Sequence, residues 1–423
     1  MAAPDKPAHR SLDQWLAYQE KLHPRAIELG LERVRTVAQG LGLLPAHCPT
    51  LTVAGTNGKG SCVALAAEIF RAAGYRTGRY SSPHLLRYNE RVVIDGREAT
   101  DDELCAAFEA VERGRAGVPL TYFEFGTLAA LWLFRQAQVE VQVLEVGLGG
   151  RLDAVNIVDA DCALIASIGI DHVDWLGNDR ERIGFEKAGV LRAGKPAIYA
   201  ERDLPRSVLD HAAKIGAPLL WVGRDYRYAL HADGSWDWQG PGRAYARLPA
   251  PGLSGAVQYQ NAAGVLAATQ ALQPLVPVAE SAIRAALPRL KLPGRFQRLG
   301  PLRLDVAHNV EAARVLADNL RAETAAGRVW LVLGMYADKP VEEFCATLAP
   351  LIAGAYFAGL PPPRGLDAET LARRAAAGGL RGIVAGSVQE ALRRARLNAA
   401  PEDRILVCGS FLTVAAAAEG LHD

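Results

Sequence analysis

The stretch Leu51-Thr52-Val53-Ala54-Gly55-Thr56-Asn57-Gly58-Lys59-Gly60-Ser61 decides how the chain is read. A short β-branched run ends in a glycine-rich turn, which opens into Cys62-Val63-Ala64-Leu65-Ala66-Ala67-Glu68-Ile69-Phe70, an alanine-rich helical pattern closing at Gly74. Strand, glycine loop, lysine with hydroxyl, then helix is the layout of a phosphate-binding loop. Gly55, Gly58 and Gly60 would let the backbone turn its amides toward one anion. The helix N-terminus adds unpaired N–H groups and the positive end of its dipole. Lys59 supplies a full charge, and Ser61 can place its hydroxyl on a magnesium ion. The spacing departs from the common P-loop: Gly55 and Gly58 enclose two residues, and Gly60 separates Lys59 from Ser61. The bland alternative is a glycine-rich turn with a chance lysine.

Outward from the loop, hydrophobic segments alternate between strand and helix periods. A helical pattern covers 11–44, broken at Pro24 and Gly30. Strand 75–80 runs into Ser81-Ser82-Pro83-His84-Leu85, and 89–94 reads as a hairpin arm turning at Asp95-Gly96. Thr100 opens a helix, 125–138 is a strongly apolar helix, and 141–146 and 162–168 are buried strands. Residues 221–249, with alternating Tyr226, Tyr228, Trp236 and Trp238, form a small antiparallel accessory hairpin. The Pro/Gly/basic run 288–295 is the best boundary in the chain. Beyond it, strands are expected at 302–306, 329–333, 355–357, 381–384 and 405–407. The fold class is therefore α/β: a P-loop-containing doubly wound parallel sheet domain (1–293) with a small antiparallel β accessory, followed by a smaller Rossmann-like α/β domain (294–423).

Composition narrows the function classes. Of 423 residues, 47 are Lys or Arg and 46 Asp or Glu, so no basic surplus suggests a nucleic acid. Six scattered cysteines without a Cys-x-x-Cys pair argue against a disulfide framework or structural zinc. Residues 1–10 hold no apolar run, so no signal peptide is expected, and no segment is long enough to span a membrane. The expected location is the cytoplasm.

Ligand sites in such sheets lie at the carboxyl ends of strands. Glu145 sits there inside an apolar run, where a carboxylate is costly unless paired or metal-bound. His172, after the next strand, would alone read as structural; with the loop and Glu145 on one rim, joint metal binding is the better reading. Oxygen ligands point to Mg²⁺, and the histidine leaves room for manganese. Lys187, in Phe185-Glu186-Lys187-Ala188-Gly189, reads from spacing alone as a solvated lysine. Thr121-Tyr122-Phe123-Glu124-Phe125-Gly126 precedes a helix and alone reads more readily as core than as a ring-binding site. Asp305-Val306-Ala307-His308-Asn309 ends the first strand of the second domain, and Arg295 on the linker can reach the same phosphates.

The segments TVAGTNGKGS, YSSPHL with RYNERV, TYFEFGTLAALWLF, LEVGLGGRLDAVNIVDAD, IDHVDWLG, EKAG, PGRFQ, LDVAHN and VCGSF together resemble the bacterial folylpolyglutamate synthase/dihydrofolate synthases, ATP-dependent amide ligases of the Mur-ligase-like superfamily. The resemblance spans nearly the whole chain. It implies ligation of L-glutamate to dihydropteroate and to reduced folates through an acyl phosphate. It implies ATP contacts from Gly55, Thr56, Asn57, Gly58, Lys59, Gly60 and Ser61, and from Asn261, Arg295 and Asp305, with His308 nearby. It implies a metal site of Ser82, Glu145 and His172 beside Ser61, and a carbamylated Lys187 supporting a second Mg²⁺. Ile27, Glu28, Leu29, Thr121, Tyr122, Phe123, Glu124, Leu152, Asp153 and Ala154 would line the pterin site. Lys59, Lys187, His172 and His308 would carry the catalysis, K⁺ is a candidate further cation, and the protein is expected to be a monomer. Val310 stands where the family often has proline. Three alternatives compete: a cell-wall Mur ligase, which carries an extra N-terminal domain; a monofunctional folylpolyglutamate synthase; and a P-loop switch protein.

Overall fold

The structure, a computed structural model, describes residues 10–25, 27–323 and 327–420. Residues 1–9, where the absence of a signal peptide was read, lie outside this range. The first domain is built on eight strands: β1 (Thr50–Ala54), β2 (Thr77–Tyr80), β3 (Val92–Ile94), β4 (Arg97–Glu98), β5 (Val141–Glu145), β6 (Cys162–Ile165), β7 (Ala197–Tyr199) and β8 (Leu219–Trp221). Their order is β4-β3-β2-β5-β1-β6-β7-β8. All pair in parallel except the β2–β3–β4 edge, which is antiparallel. Central β1 is apolar or β-branched and buried along its whole length, as expected of a strand covered on both faces. Val53 stands beside both Glu145 and Leu164, so the segments after β1, β5 and β6 leave the sheet at one rim.

Local chemistry sets several boundaries. Thr100 and Glu103 form a reciprocal capping box that starts the helix Asp101–Gly114. Thr121 and Glu124 do the same for Tyr122–Gln136. The TYFEFG stretch therefore lies inside the first turns of that helix rather than ahead of it. Asp95 and Gly96, both at positive φ, make the tight turn between β3 and β4.

The accessory element has three strands rather than the two of a hairpin: β9 (Arg227–Leu230), β10 (Trp236–Gly240) and β11 (Arg243–Leu248), antiparallel. Periodicity missed β11 because its outward face is mostly arginine and alanine, with only Tyr245 and Leu248 buried. Trp238 is almost fully buried, stacks on Tyr245 at 5.5 Å between ring centroids and donates Nε1–H to the Ala263 carbonyl at 3.1 Å. Trp238→Ala is expected to cost about 3–5 kcal/mol, read as a lower midpoint in chemical denaturation.

The second sheet comprises β12 (Gln297–Leu299), β13 (Leu302–Leu304), β14 (Val329–Leu333), β15 (Gly354–Ala358), β16 (Ile383–Ala385) and β17 (Arg404–Cys408), in the order β12-β13-β17-β14-β15-β16. Only β12 is antiparallel to its neighbour. This short edge strand follows the PGRFQ segment and carries little apolar signal, so the sequence did not reveal it. No helix among the described residues is long and apolar enough to cross a membrane.

Candidate active site

The carboxyl ends of the two sheets face each other across a cleft of about 540 Å³. Its walls carry the loop from Thr56 to Ser61, Ser82, Glu145 and His172 from the first domain. Asn261 also belongs to the first domain, in the helix Ala256–Ala271. Arg295, Asp305 and His308 enter from the linker and second domain. Sequence reading had assembled this set piecemeal; the fold puts every member on one surface.

The loop's geometry separates its glycines. Gly58 has φ +82°, and a Cβ there would stand 2.6 Å from Asn261 Oδ1. Gly55 has φ +153°, and its Cβ would sit 3.2 Å from Ala166 and Ser167. Gly60 is different: it lies in the first turn of the helix Lys59–Ala72 with ordinary φ, so, unlike Gly55 and Gly58, it does not use glycine's conformational freedom. It matters through close approach, its Cβ position being 3.4 Å from Arg295 Nη2 and 3.8 Å from Glu145 Oε2. Gly58→Ala combines backbone strain with a clash. It should lower stability by about 1–2 kcal/mol and weaken nucleotide binding about tenfold or more, measured by denaturation and calorimetry.

Hydrogen bonds hold the loop in shape. Thr56 Oγ1 donates to the Gly169 carbonyl at 3.0 Å, and Asn57 N–H donates to Ser167 Oγ at 2.8 Å. Lys59 Nζ donates to the carbonyls of Gly55 at 2.9 Å and Thr56 at 3.2 Å, so its ammonium is pinned over the loop it serves.

Glu145 ends β5 buried at the cleft wall; its Oε2 accepts a single backbone hydrogen bond, from Ser82 N at 3.3 Å. Burial raises its pKa, opposed by Lys59 and Arg295. His172 has φ 52° and starts a short helix. Burial lowers its pKa to about 4, with Lys339 and Lys59 acting in the same direction against Asp171, so its imidazole is neutral and keeps a free lone pair. Among the described residues no three His, Cys, Asp or Glu side chains gather as a ready metal cage. Yet an under-paired buried carboxylate lining the same cleft as a neutral imidazole and two seryl hydroxyls is compatible with a divalent cation whose remaining ligands come from elsewhere.

Lys187 is the clearest correction. It is buried at 3% exposure in the helix Arg180–Ala188, not solvated, and burial together with Lys59 lowers its pKa to about 7. It does not line the cleft; it lies behind it, its backbone packed against Gly150.

The expected pterin residues gather apart from the cleft wall. Gly30 N–H donates to the Leu152 carbonyl at 3.3 Å, joining the segment of Ile27, Glu28 and Leu29 to that of Leu152, Asp153 and Ala154. Arg33 bridges Glu28 at 2.6 Å and Glu124 at 3.1 Å. Thr121 and Glu124 are spent on their helix cap, which leaves Tyr122 and Phe123 as the half-buried ring surfaces. Phe123 lies against Gly147, a cleft residue, so the two regions adjoin there. Asp153 is buried, which lifts its pKa to about 7 against hydrogen bonds from Leu148 and Val155 amides.

Sequence reading assigned no role to Asp171, Asn309 or Lys339, which join the domains. Lys339 Nζ donates to Asp171 Oδ1 at 2.7 Å, and Asn309 Nδ2 donates to Asp171 Oδ2 at 3.2 Å. Asn57 and Asn309 exchange side-chain hydrogen bonds at 3.2 and 3.1 Å. Burial would raise the Asp171 pKa, but His308, Lys339 and His172 hold it well below the carboxylate range. A signal existed: Asp171 and Asn309 fall inside the quoted IDHVDWLG and LDVAHN segments. His308 Nδ1 pairs with the Val306 carbonyl at 2.8 Å, and Asp305 caps the amides of Phe296 and Ala307 at 2.8 Å each. Val310 occupies the first turn of the helix Val310–Ala322, behind the Asn309 cap, a position at which proline is also at home.

A phosphate loop in one α/β domain, faced across a cleft by a second α/β domain, defines an ATP-dependent ligase of the Mur type. The Mur ligase glutamate ligase domain matches residues 294–411. The Escherichia coli dihydrofolate synthase/folylpolyglutamate synthase is 46% identical over 96% of this chain and 94% of its own length. That of Haemophilus influenzae is 38% identical, with 96% of each covered. The chain belongs to the dihydrofolate synthase/folylpolyglutamate synthase family. Among solved structures, the E. coli protein in complex with DHPP and ADP superposes with a TM-score of 0.94 at 44% identity, covering 99% of both chains. A bifunctional folylpolyglutamate synthase/dihydrofolate synthase with Mn, AMPPNP and L-glutamate bound gives 0.91 at 45% identity, covering 99% of this chain and 100% of the other.

Proposed function

We propose that the chain uses ATP to join the amino group of L-glutamate to the carboxylate of dihydropteroate and to the γ-carboxylate of reduced folates. The observation that carries this is the single cleft shared by the loop of the first domain and the Arg295, Asp305 and His308 cluster of the second. A carboxylate is a poor electrophile, so it first attacks the γ-phosphate, giving an acyl phosphate and ADP. The glutamate amine then attacks the acyl carbon and phosphate leaves. No protein nucleophile is needed; positioning and charge stabilisation supply the rate.

Lys59 lies over the loop that cradles the phosphates, and Arg295 and Asp305 meet the nucleotide from the other side, with Asn261 beneath Gly58. Ser82, Glu145 and His172, with Ser61 adjacent, would hold Mg²⁺, whose charge offsets the repulsion between phosphate and carboxylate. Lys187, poised near neutrality, is the amine for carbamylation, and its carbamate would reach toward a second metal. Tyr122 and Phe123 offer ring surfaces for the pterin side of the substrate. Domain closure over the cleft, stabilised by Lys339–Asp171, would keep water from the acyl phosphate.

The test is direct. Purified protein is incubated with ATP, Mg²⁺ and glutamate plus either dihydropteroate or tetrahydrofolate, following ADP release and product mass, with Na⁺ in place of K⁺ in parallel. Glutamylated product is expected from both. Product from neither defeats the reading, and product from tetrahydrofolate alone reduces it to the monofunctional enzyme.

A further inference from the structure

Arg91 is 9% exposed, yet among the described residues no carboxylate pairs with it. Its neighbour Glu90 does not serve, because both its oxygens accept the amides of Leu85, Leu86 and Arg87 at 2.7–2.8 Å. The guanidinium is fixed on three sides instead. Arg91 Nε donates to His84 Nδ1 at 2.8 Å, and its carbon lies 5.2 Å from the centre of the Tyr88 ring and 5.6 Å from that of Tyr122. Among the described residues this leaves the two terminal nitrogens of a rigid fork without a protein acceptor, in a side chain that lines the cleft together with Ser82, Glu145 and Gly147. A buried guanidinium without its anion is costly, whereas a carboxylate received by the fork satisfies it.

Three other cations of the cleft are occupied. Lys59 bonds its own loop, Lys339 pairs with Asp171, and Arg295 stands with Asp305 and Glu145. Arg364, in the second domain, is exposed over Tyr336. Arg91 sits between the rim of Ser82 and Glu145, where the acyl carboxylate must meet phosphate, and Tyr122, on the expected pterin wall.

The two acyl substrates differ here in one charge. Dihydropteroate has only the carboxylate that reacts; a folate carries, besides its reacting γ-carboxylate, the α-carboxylate of the glutamate already attached. Resting on the function proposed above, we propose that Arg91, braced by His84, Tyr88 and Tyr122, receives this spectator α-carboxylate and so selects folates for the second of the two ligations. His84 is then a positioning residue that keeps the fork in plane.

Two arms test this. The wild-type protein is assayed with tetrahydrofolate and with its α-carboxamide, in which the charge is removed and the shape kept. The amide should lose about 30–100-fold in kcat/KM, the scale of a lost charge-assisted pair of hydrogen bonds. Equal use of both substrates overturns the proposal without any variant being made. In the second arm, Arg91→Gln should shift the ratio of kcat/KM values about 30-fold or more toward dihydropteroate and abolish discrimination against the amide. Arg91→Lys, which keeps the charge but loses the fork, should restore part of the ratio. A proportional loss with both substrates, or a variant still discriminating against the amide, shows that Arg91 serves structure or the reacting carboxylate instead. Absence of ligation by the wild-type protein with either substrate would defeat the proposed function, a result separate from each of these.

Discussion

Replacing Lys59 with alanine should lower kcat/KM for glutamate ligation by about a thousandfold or more, whichever acyl substrate is supplied. In the first ligation step an anionic carboxylate must approach an anionic phosphate, and the developing charge needs a fixed cation in a site sheltered from water. We propose Lys59 as that cation. Its ammonium is already held 2.9 Å from the Gly55 carbonyl and 3.2 Å from that of Thr56, so it loses little freedom when a nucleotide arrives. Removing it also frees two loop carbonyls, so the loop itself should loosen and nucleotide affinity should fall alongside turnover. Lys59→Arg is not expected to rescue, because the planar fork is longer and cannot sit over the same carbonyls. Steady-state ADP release, paired with fluorescent-nucleotide titration, measures both effects. A variant within tenfold of the parent would remove the loop from the chemistry.

Lys187→Ala should reduce ligation by about 10²–10³-fold, and added bicarbonate should not restore it. The reason is burial. Lysine is protonated in water at neutral pH, but desolvation here, aided by Lys59, brings its pKa to about 7. The sign follows: burial disfavours the charged form, so the neutral amine that can take up CO₂ is scarce below that value and increases as pH rises through it. Carbamate formation should therefore climb between about pH 6 and 8. A carbon-13 carbamate resonance in protein equilibrated with labelled bicarbonate, absent from the alanine variant, reads this independently of turnover. Wild-type activity in the variant, or no such resonance in the parent, would make Lys187 a buried structural lysine.

These two lysines show how legibility varied along the chain. Lys59 could be read directly, because strand, glycines, lysine and helix follow one another within a dozen residues and each acts on its neighbour. The same holds for the helix start at Thr100 and for β14, whose observed span Val329–Leu333 is the apolar run itself. Short-range sterics and hydrogen bonding determine such features, and they leave a local pattern. Lys187 could not be read from its surroundings in sequence. Its helix is buried by packing on the 149–151 turn, a contact between segments about 35 positions apart, marked by Arg151 donating to Glu186 at 2.8 Å. Helical spacing around Lys187 looks the same whether that turn covers it or water does.

Arg91 and Asp171 make the point from the other direction. In sequence each is a charged residue in a polar segment, with nothing to show whether it is paired. The strand order determines the answer, setting Arg91 among Tyr88, Tyr122 and His84 and bringing Lys339 and Asn309 from the second domain onto Asp171. By itself, then, the sequence determined the α/β class, the phosphate loop and the family resemblance, all carried by neighbouring residues acting over a few ångströms of chain. The tertiary structure alone decided which charges are buried, which remain unpaired and which close the cleft, because desolvation and ion pairing depend on what segments far apart in the chain bring to one place.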